Sequence, residues 1–355
     1  MSRTDASSLP DPPGEASDPI GLVLQVQRMS TEDGPGLRST AFLKGCPLSC
    51  AWCHNPEGIR PYAEIQWQGT RCIAGVARDG CGACVAACPA GALARTASGA
   101  LAIDRTACLG ARSSRAGAGR GPCGLACTKA CPGGALERLG EEMRSSELVR
   151  ELLKDRSYFD RSDRGGVTLS GGEASSQSAF ARKVLRAAKE AGVHTALDTC
   201  GFAAWESLAE LYPYVDLVLW DLKELDGERH VEYTGACVDP IVENLRRTAA
   251  LMAEGAGPGA IWIRSPIIPG ATDRDEGVEA IGRLLARMEI PRLERWELCA
   301  FNNLCADKYA RLGIEWKYTG APLMRSEDMA RLLVAAERGL GREGIVTWTG
   351  STRIE

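Results

Sequence analysis

No stretch of the 355 residues approaches the roughly 18 consecutive apolar residues that a membrane-spanning helix needs. The first twenty residues lack an apolar core, and Asp5, Pro10, Asp11, Pro12 and Pro13 make them polar. They read as a disordered N-terminal tail, residues 1–20, and not as a secretory signal. A surplus of positive charge is missing too. The net charge is −4, which offers no footprint for nucleic acid or for an anionic membrane. The final fifty residues contain no cysteine, yet the whole chain has 15. Without a secretory signal the expected compartment is the reducing cytoplasm, where cysteines serve as metal ligands or catalytic groups more often than as disulfides.

The cysteines fall into three sets. Cys46, Cys50 and Cys53 lie close together. Cys72, Cys81, Cys84, Cys88, Cys108, Cys123, Cys127 and Cys131 form a second set, and Cys200, Cys237, Cys299 and Cys305 are scattered. A composition shift this abrupt places a separately organised, cysteine-rich domain at residues 60–140. The remaining chain alternates short apolar runs with helical patterns. Runs at Ser39–Lys44, Gly166–Ser170, Val193–Asp198, Asp216–Trp220, Ile261–Ser265 and Arg295–Cys299 read as buried parallel strands. Ser146–Asp155, Ala179–Ala191, Pro240–Glu254, Glu276–Met288 and Ser326–Leu340 read as helices, two of them ending before Gly192 and Gly341. Strand then helix, repeated, gives an α/β fold that is either a barrel or an open sheet. In both, the loops after the strands form the active face.

The first predicted strand runs directly into Lys44-Gly45-Cys46-Pro47-Leu48-Ser49-Cys50-Ala51-Trp52-Cys53, a C-x3-C-x2-C spacing. Thiolates select zinc or iron–sulfur clusters. A structural zinc wants four ligands, and three cysteines on a [4Fe–4S] cluster would leave one iron open. A zinc site borrowing His54, or buried cysteines without metal, are the plainer readings.

C-x3-C-x2-C after a first strand resembles the radical S-adenosylmethionine (SAM) superfamily. Asp33-Gly34-Pro35-Gly36-Leu37-Arg38 before it and Cys53-His54-Asn55-Pro56-Glu57 after it resemble, more narrowly, the glycyl-radical-enzyme activating enzymes. The likeness runs from about residue 21 to 350. It implies a partial (β/α)6 radical SAM barrel, residues 21–59 and 141–355, interrupted by a ferredoxin-like insert. It also implies a chemistry. SAM binds the open iron of the cluster on the catalytic Cys46, Cys50 and Cys53, and one electron splits it into methionine and a 5′-deoxyadenosyl radical. That radical takes a hydrogen atom from a backbone glycine of a partner enzyme.

The resemblance also carries over a set of SAM contacts. Trp52 adjoins the third cysteine. Ser170-Gly171-Gly172-Glu173 matches the segment that binds the SAM amino group, with Ala174 where proline is usual. Asp198-Thr199 and Asp221-Leu222-Lys223 match segments near the methionine carboxylate and, in some members, a monovalent cation. Arg264-Ser265-Pro266 matches a segment reaching the ribose or carboxylate. Asn302 stands where related enzymes often place a histidine. Cys200 and Cys299 are read as small packed side chains near the active face.

In the insert, Cys81-x2-Cys84-x3-Cys88-Pro89 and Cys123-x3-Cys127-x3-Cys131-Pro132 end like ferredoxin runs. In two-cluster ferredoxins the last cysteine of each run serves the other cluster. That rule assigns Cys72, Cys81, Cys84 and Cys131 to one [4Fe–4S] cluster and Cys88, Cys108, Cys123 and Cys127 to another, three clusters in all with the SAM cluster. Two structural zinc sites are the alternative. A relay from these clusters to the SAM cluster is the expected use, and Arg112, Arg115 and Arg120 form a candidate dock for a flavodoxin or ferredoxin donor. The expected protein partner is a glycyl radical enzyme, and the chain is expected to act as a monomer. Two rival functions are a radical SAM enzyme acting on a small molecule or peptide, and a non-catalytic iron–sulfur electron-transfer protein.

Overall fold

The computed structural model describes residues 18–77, 80–108 and 123–353. The arginines of the candidate dock lie outside them. Among the described residues the strands are β1 (Ile20–Ser30), β2 (Arg38–Leu43), β3 (Glu64–Trp67), β4 (Leu93–Arg95), β5 (Leu101–Ile103), β6 (Leu136–Leu139), β7 (Glu141–Arg144), β8 (Gly166–Gly171), β9 (His194–Thr199), β10 (Leu217–Asp221), β11 (Ala260–Ile267), β12 (Leu293–Ala300) and β13 (Val346–Thr349).

One sheet has the order β13-β12-β11-β10-β9-β8-β2-β1-β7. Its strands from β2 to β13 pair in parallel, while β1 pairs antiparallel with β2 and β7. The two edge strands do not meet, so the barrel is partial. Every residue of β2 is buried, as are Gly166 to Ser170 of β8, and such two-sided burial requires the near-continuous apolar runs seen in the sequence. The intervening helices bury one stripe each. Ser178–Glu190 turns Phe180, Ala181, Val184, Leu185 and Ala188 inward. The helices Asp275–Met288 and Ser326–Leu340 pack backbone to backbone at Gly282 and Gly339, where any Cβ would meet the opposite main chain.

Three strands of this sheet escaped the sequence reading. β1 has an exposed face carrying Gln25, Gln27 and Arg28, so its apolar content is diluted. β7 is polar except for Met143, and β13 is a short edge strand. Ordered contacts begin before residue 20. Asp18 accepts hydrogen bonds from Ser145 Oγ at 2.8 Å, Ser146 N at 3.0 Å and Ser146 Oγ at 2.9 Å, holding the N-terminus of the helix Ser145–Leu152.

Residues 64–139 add no strand to this sheet. β3 pairs with β6 and β4 with β5, around a separate apolar cluster that includes Ile65, Leu93, Leu101, Leu125 and Leu136. Among the described residues no helix is long and apolar enough to cross a membrane.

The buried Asp33-to-Arg38 segment sits at the N-terminal ends of the strands, opposite the active face. The Arg38 side chain is fully buried. Its Nε donates to Thr168 Oγ1 at 2.6 Å and its Nη1 to the Arg164 carbonyl at 2.9 Å. Asp33 accepts from Thr40 Oγ1 at 2.8 Å. This motif therefore ties the floor of the sheet together.

Candidate functional site

The C-terminal ends of the strands converge on one cavity of about 260 Å3. The loop after β2 contributes Cys46, Cys50, Trp52, Cys53 and His54. β8 ends in Ser170, Gly171 and Gly172, β9 in Asp198, Thr199 and Cys200, and β10 in Asp221 and Lys223. β11 supplies Arg264 and Pro266, and β12 leads to Cys299, Ala300 and Phe301.

The cysteine loop is fixed by backbone bonds on every side. Gly45 N donates to Gly58 O at 2.8 Å and Cys46 N to Ile59 O at 2.8 Å. Ser49 N and Ala51 N donate to Thr234 O and Tyr233 O, both at 2.8 Å, which ties the loop to the helix Gly227–Thr234. Trp52 packs on Tyr233, with ring centroids 5.7 Å apart. A second helix, Ala306–Leu312, holds the downstream segment. Lys308 Nζ bonds Asn55 Oδ1 at 2.6 Å and pairs with Glu57 Oε1 at 2.8 Å.

The glycines of the Ser170–Glu173 segment do more than admit a ligand. A Cβ on Gly172 would collide with the Gly45 carbonyl, and one on Gly171, at φ +117°, with the Leu43 backbone. They let the end of β8 lie against the cysteine loop while still lining the cavity. Glu173, expected to be a SAM contact, stands behind these glycines. It is fully buried and does not line the cavity. Its carboxylate accepts from Ser175 N at 3.1 Å, Thr199 Oγ1 at 2.9 Å and Cys200 N at 2.8 Å. It acts behind the wall, holding the end of β9. Asn302 likewise does not line the cavity. Its side chain accepts from Leu304 N at 3.2 Å, and its backbone carbonyl accepts from the His54 ring. Sequence reasoning also passed over His54 as a wall residue and read Cys200 and Cys299 as packing, whereas all three face the cavity.

Two charged pairs face each other across the floor of the cavity. Lys223 Nζ bonds Asp221 Oδ2. Arg264 Nη1 stands 3.8 Å from Asp198 Oδ2, and Ser170 Oγ donates to the same oxygen at 2.7 Å. Burial pushes the Asp198 carboxyl up, and the nearby Asp221 charge adds to that, against Arg264 and Ser170. Burial opposes the Lys223 charge, but Asp221, Cys50 and Cys200 outweigh it and hold the ammonium well above its ordinary range. Arg264 Nε is buried without a hydrogen bond, at 3.5 Å from Glu297 Oε2 but poorly aligned with it. An unsatisfied buried guanidinium nitrogen fits a site that receives an anionic ligand group. Burial also pushes the Cys50 thiol up to about 11 and the Cys53 thiol further. Thiolates at such positions are stable when a metal takes their charge.

The second cysteine set lines two smaller cavities. Cys72, Cys81, Cys84 and Cys131 surround one, with Trp67 and Arg95 in its wall. Cys88, Cys108, Cys123 and Cys127 surround another, with Ile65, Leu93 and Leu125. The two are built alike. Ala92 N donates to Cys88 Sγ at 3.3 Å and Ala135 N to Cys131 Sγ at 3.2 Å, four residues on in each case. Among the described residues no three His, Cys, Asp or Glu side chains converge tightly enough to hold a single metal ion. Among the described residues, neither His54 with the loop cysteines nor the cysteines of the second set form such a group.

Comparison with known proteins agrees with this site. The model of the radical SAM superfamily matches residues 123–280, and that of a 4Fe-4S single cluster domain matches residues 32–74. The chain is 38% identical to the isethionate sulfite-lyase activating enzyme of Nitratidesulfovibrio vulgaris, over 88% of this chain and 94% of that one. It is 34% identical to the (2S)-3-sulfopropanediol dehydratase activating enzyme of Klebsiella oxytoca, over 90% and 94%. It is 35% identical to the benzylsuccinate synthase activating enzyme of Thauera aromatica, over 90% and 91%. With a three-cysteine loop and a cavity on the active face of a partial barrel, the chain belongs to the glycyl-radical-enzyme activating enzymes, oxidoreductases of the radical SAM superfamily.

Proposed function

We propose that this activating enzyme works with three [4Fe–4S] clusters, one at the SAM site and two in a ferredoxin-like insert spanning residues 60–140. The observation that carries the reading is the convergence of Cys46, Cys50 and Cys53 with Asp198, Thr199, Asp221, Lys223 and Arg264 on one cavity. The family's reaction is reductive cleavage of SAM to a 5′-deoxyadenosyl radical that takes a hydrogen atom from a backbone glycine of the partner. This chain must position SAM and keep water away. Lys223 and Arg264 are the cations for the SAM carboxylate, and Asp198, Thr199 and Asp221 supply oxygens for its amino group or for a monovalent cation. Trp52, Gly171, Gly172 and Pro266 give the wall its shape. Glu173 is a positioning residue, acting through Thr199 and Cys200.

The insert is assigned an electron relay, with the Cys88 cluster on the inside. β3 supports that order. Glu64 pairs with Lys44, next to the cysteine loop, while Ile65 lines the Cys88 cavity and Trp67, two residues further, lines the Cys72 cavity. Tyr62 packs against the cluster of Ala92 and Cys108. The electron donor is a flavodoxin- or ferredoxin-type protein, and the chain acts as a monomer toward its glycyl radical enzyme.

The test is anaerobic reconstitution with iron and sulfide, reduction, and assay of 5′-deoxyadenosine. Iron equal to three clusters and deoxyadenosine formation lost in Cys50→Ala are expected. Undiminished deoxyadenosine in Cys50→Ala would contradict the reading, and so would iron equal to a single cluster.

A further inference from the structure

We propose that Trp67 and Arg95 make the outer insert cluster, on Cys72, Cys81, Cys84 and Cys131, more readily reduced than the inner one. The proposal rests on the reading that both cysteine cavities hold [4Fe–4S] clusters.

The two cavities match in their backbone N–H to sulfur bonds, so the difference between them lies in the rest of their walls. The outer wall contains two side chains with buried donors and no acceptor, Trp67 Nε1 and Arg95 Nε. Trp67 lies against the Cys72 sulfur without closing a hydrogen bond. Arg95 Nη1 donates to Cys72 Sγ at 3.3 Å, and Nη2 donates to the Cys81 carbonyl at 3.0 Å. Nη1 also donates to the Gly99 carbonyl at 3.1 Å, and among the described residues Arg95 forms no ion pair with a carboxylate, so the negative groups beside it are the cysteine sulfurs. Burying two unsatisfied donors is unfavourable unless something in the cavity accepts from them. The acceptors that fit are the thiolates and sulfides of a cluster.

The inner wall is different. Among the described residues it presents, besides its cysteines, Ile65, Leu93, Leu125, Pro89 and alanines, none with a side-chain donor. Arg105 feels the Cys108 sulfur, but it is paired with Glu64 at 3.0 Å, and its Nε donates to the Leu312 carbonyl at 2.9 Å. Its charge is spent on joining the insert to the helix Ala306–Leu312.

Reduction adds one negative charge to a cluster. Hydrogen bonds to its sulfurs and an unpaired cation stabilise that charge, and an apolar wall does not. An electron from a low-potential donor protein therefore settles on the outer cluster as the donor is oxidised. Its transfer reoxidises the outer cluster and reduces the inner one, a step against the gradient. The electron waits on the outer cluster until the SAM site draws it inward.

The test is EPR of the reconstituted full chain poised at a series of fixed potentials, with Cys81→Ala and Cys123→Ala assigning the signals. The outer cluster should have the higher midpoint. Arg95→Met should lower its reduced-to-oxidised ratio at a fixed potential about tenfold, equivalent to about 59 mV for one electron. Trp67→Phe should lower it less, Arg95→Lys should restore part of the loss, and the inner midpoint should stay in place. Equal midpoints, or variants that keep their iron and sulfide yet shift both clusters or neither, would overturn the proposal. If Arg95→Met fails to hold the cluster, Trp67→Phe, which keeps the ring, decides alone. If Cys81→Ala loses no iron, the cluster reading itself fails, and the proposal with it.

Discussion

The Tyr309 hydroxyl donates to the Cys53 carbonyl at 2.9 Å, joining the third cysteine of the loop to a helix 256 residues further along the chain. Tyr309 also stacks on Trp316, with ring centroids 5.4 Å apart, and Trp316 on Phe301 at 5.8 Å. The C-terminal quarter of the chain thereby sets the backbone of a site that begins near residue 46. Tyr309→Phe keeps the stack and removes one hydrogen bond. It should lower stability by about 1 kcal/mol, measured by chemical denaturation. Tyr309→Ala should lower it by roughly 3–5 kcal/mol, since the ring is lost as well.

Glu173→Gln tests positioning behind the cavity wall. The amide turns one acceptor into a donor facing Thr199 Oγ1 and Cys200 N, which are already bound to the carboxylate. The end of β9 should shift, and SAM affinity should fall on the order of 10- to 100-fold. Iron content should remain unchanged. Calorimetric SAM binding to the reconstituted protein, with iron analysis, checks both parts.

At the opposite end of the sheet, Arg38→Ala should cost roughly 3–5 kcal/mol, because it strips a buried cation from its acceptors and leaves a void. SAM binding in the folded fraction should be unaffected, since Arg38 lies at the N-terminal end of β2 and the cavity at the other. Denaturation curves and SAM binding measured on the same sample separate the two effects.

His194 begins β9, with Nδ1 3.4 Å from Arg38 Nη1. Burial first, and then the Arg38 charge, lower its pKa to about 4. In the unfolded chain it protonates near pH 6.5. Between those values the unfolded chain holds a proton that the folded chain does not. Stability is therefore full above about pH 6.5 and falls as the pH drops toward 4. Denaturation midpoints from pH 7 to 4.5 should show this slope, and His194→Gln should flatten it.

These residues also mark how far the sequence could be read. The six parallel strands from β2 to β12 are buried on both faces, so they appear as short apolar runs. β1 mixes buried and solvated positions, and its apolar residues are interrupted by Gln25, Gln27 and Arg28, so pairing partners more than composition make it a strand. The eight-cysteine set was legible because its two Cys-Pro turns repeat the same local geometry, with Gly91 and Gly134 at φ +61° and +60°. Glu173 was legible as an acceptor but not in its direction. The segment after β8 folds back at Ser175 and turns the carboxylate toward β9. The helices Gly227–Thr234 and Ala306–Leu312 are short and weakly patterned, so their hold on the cysteine loop appears only in three dimensions. The Asp33-to-Arg38 motif accompanies the family, yet its physical work is at the floor of the sheet.

The central claim is that this chain installs a radical on a partner's glycine. The direct measurement is EPR of the reduced, reconstituted protein mixed anaerobically with SAM and a candidate glycyl radical enzyme. The account predicts a glycyl doublet that requires SAM and disappears in Cys50→Ala. Formation of 5′-deoxyadenosine without any doublet, across candidate partners, would contradict it and point to a small-molecule or peptide substrate.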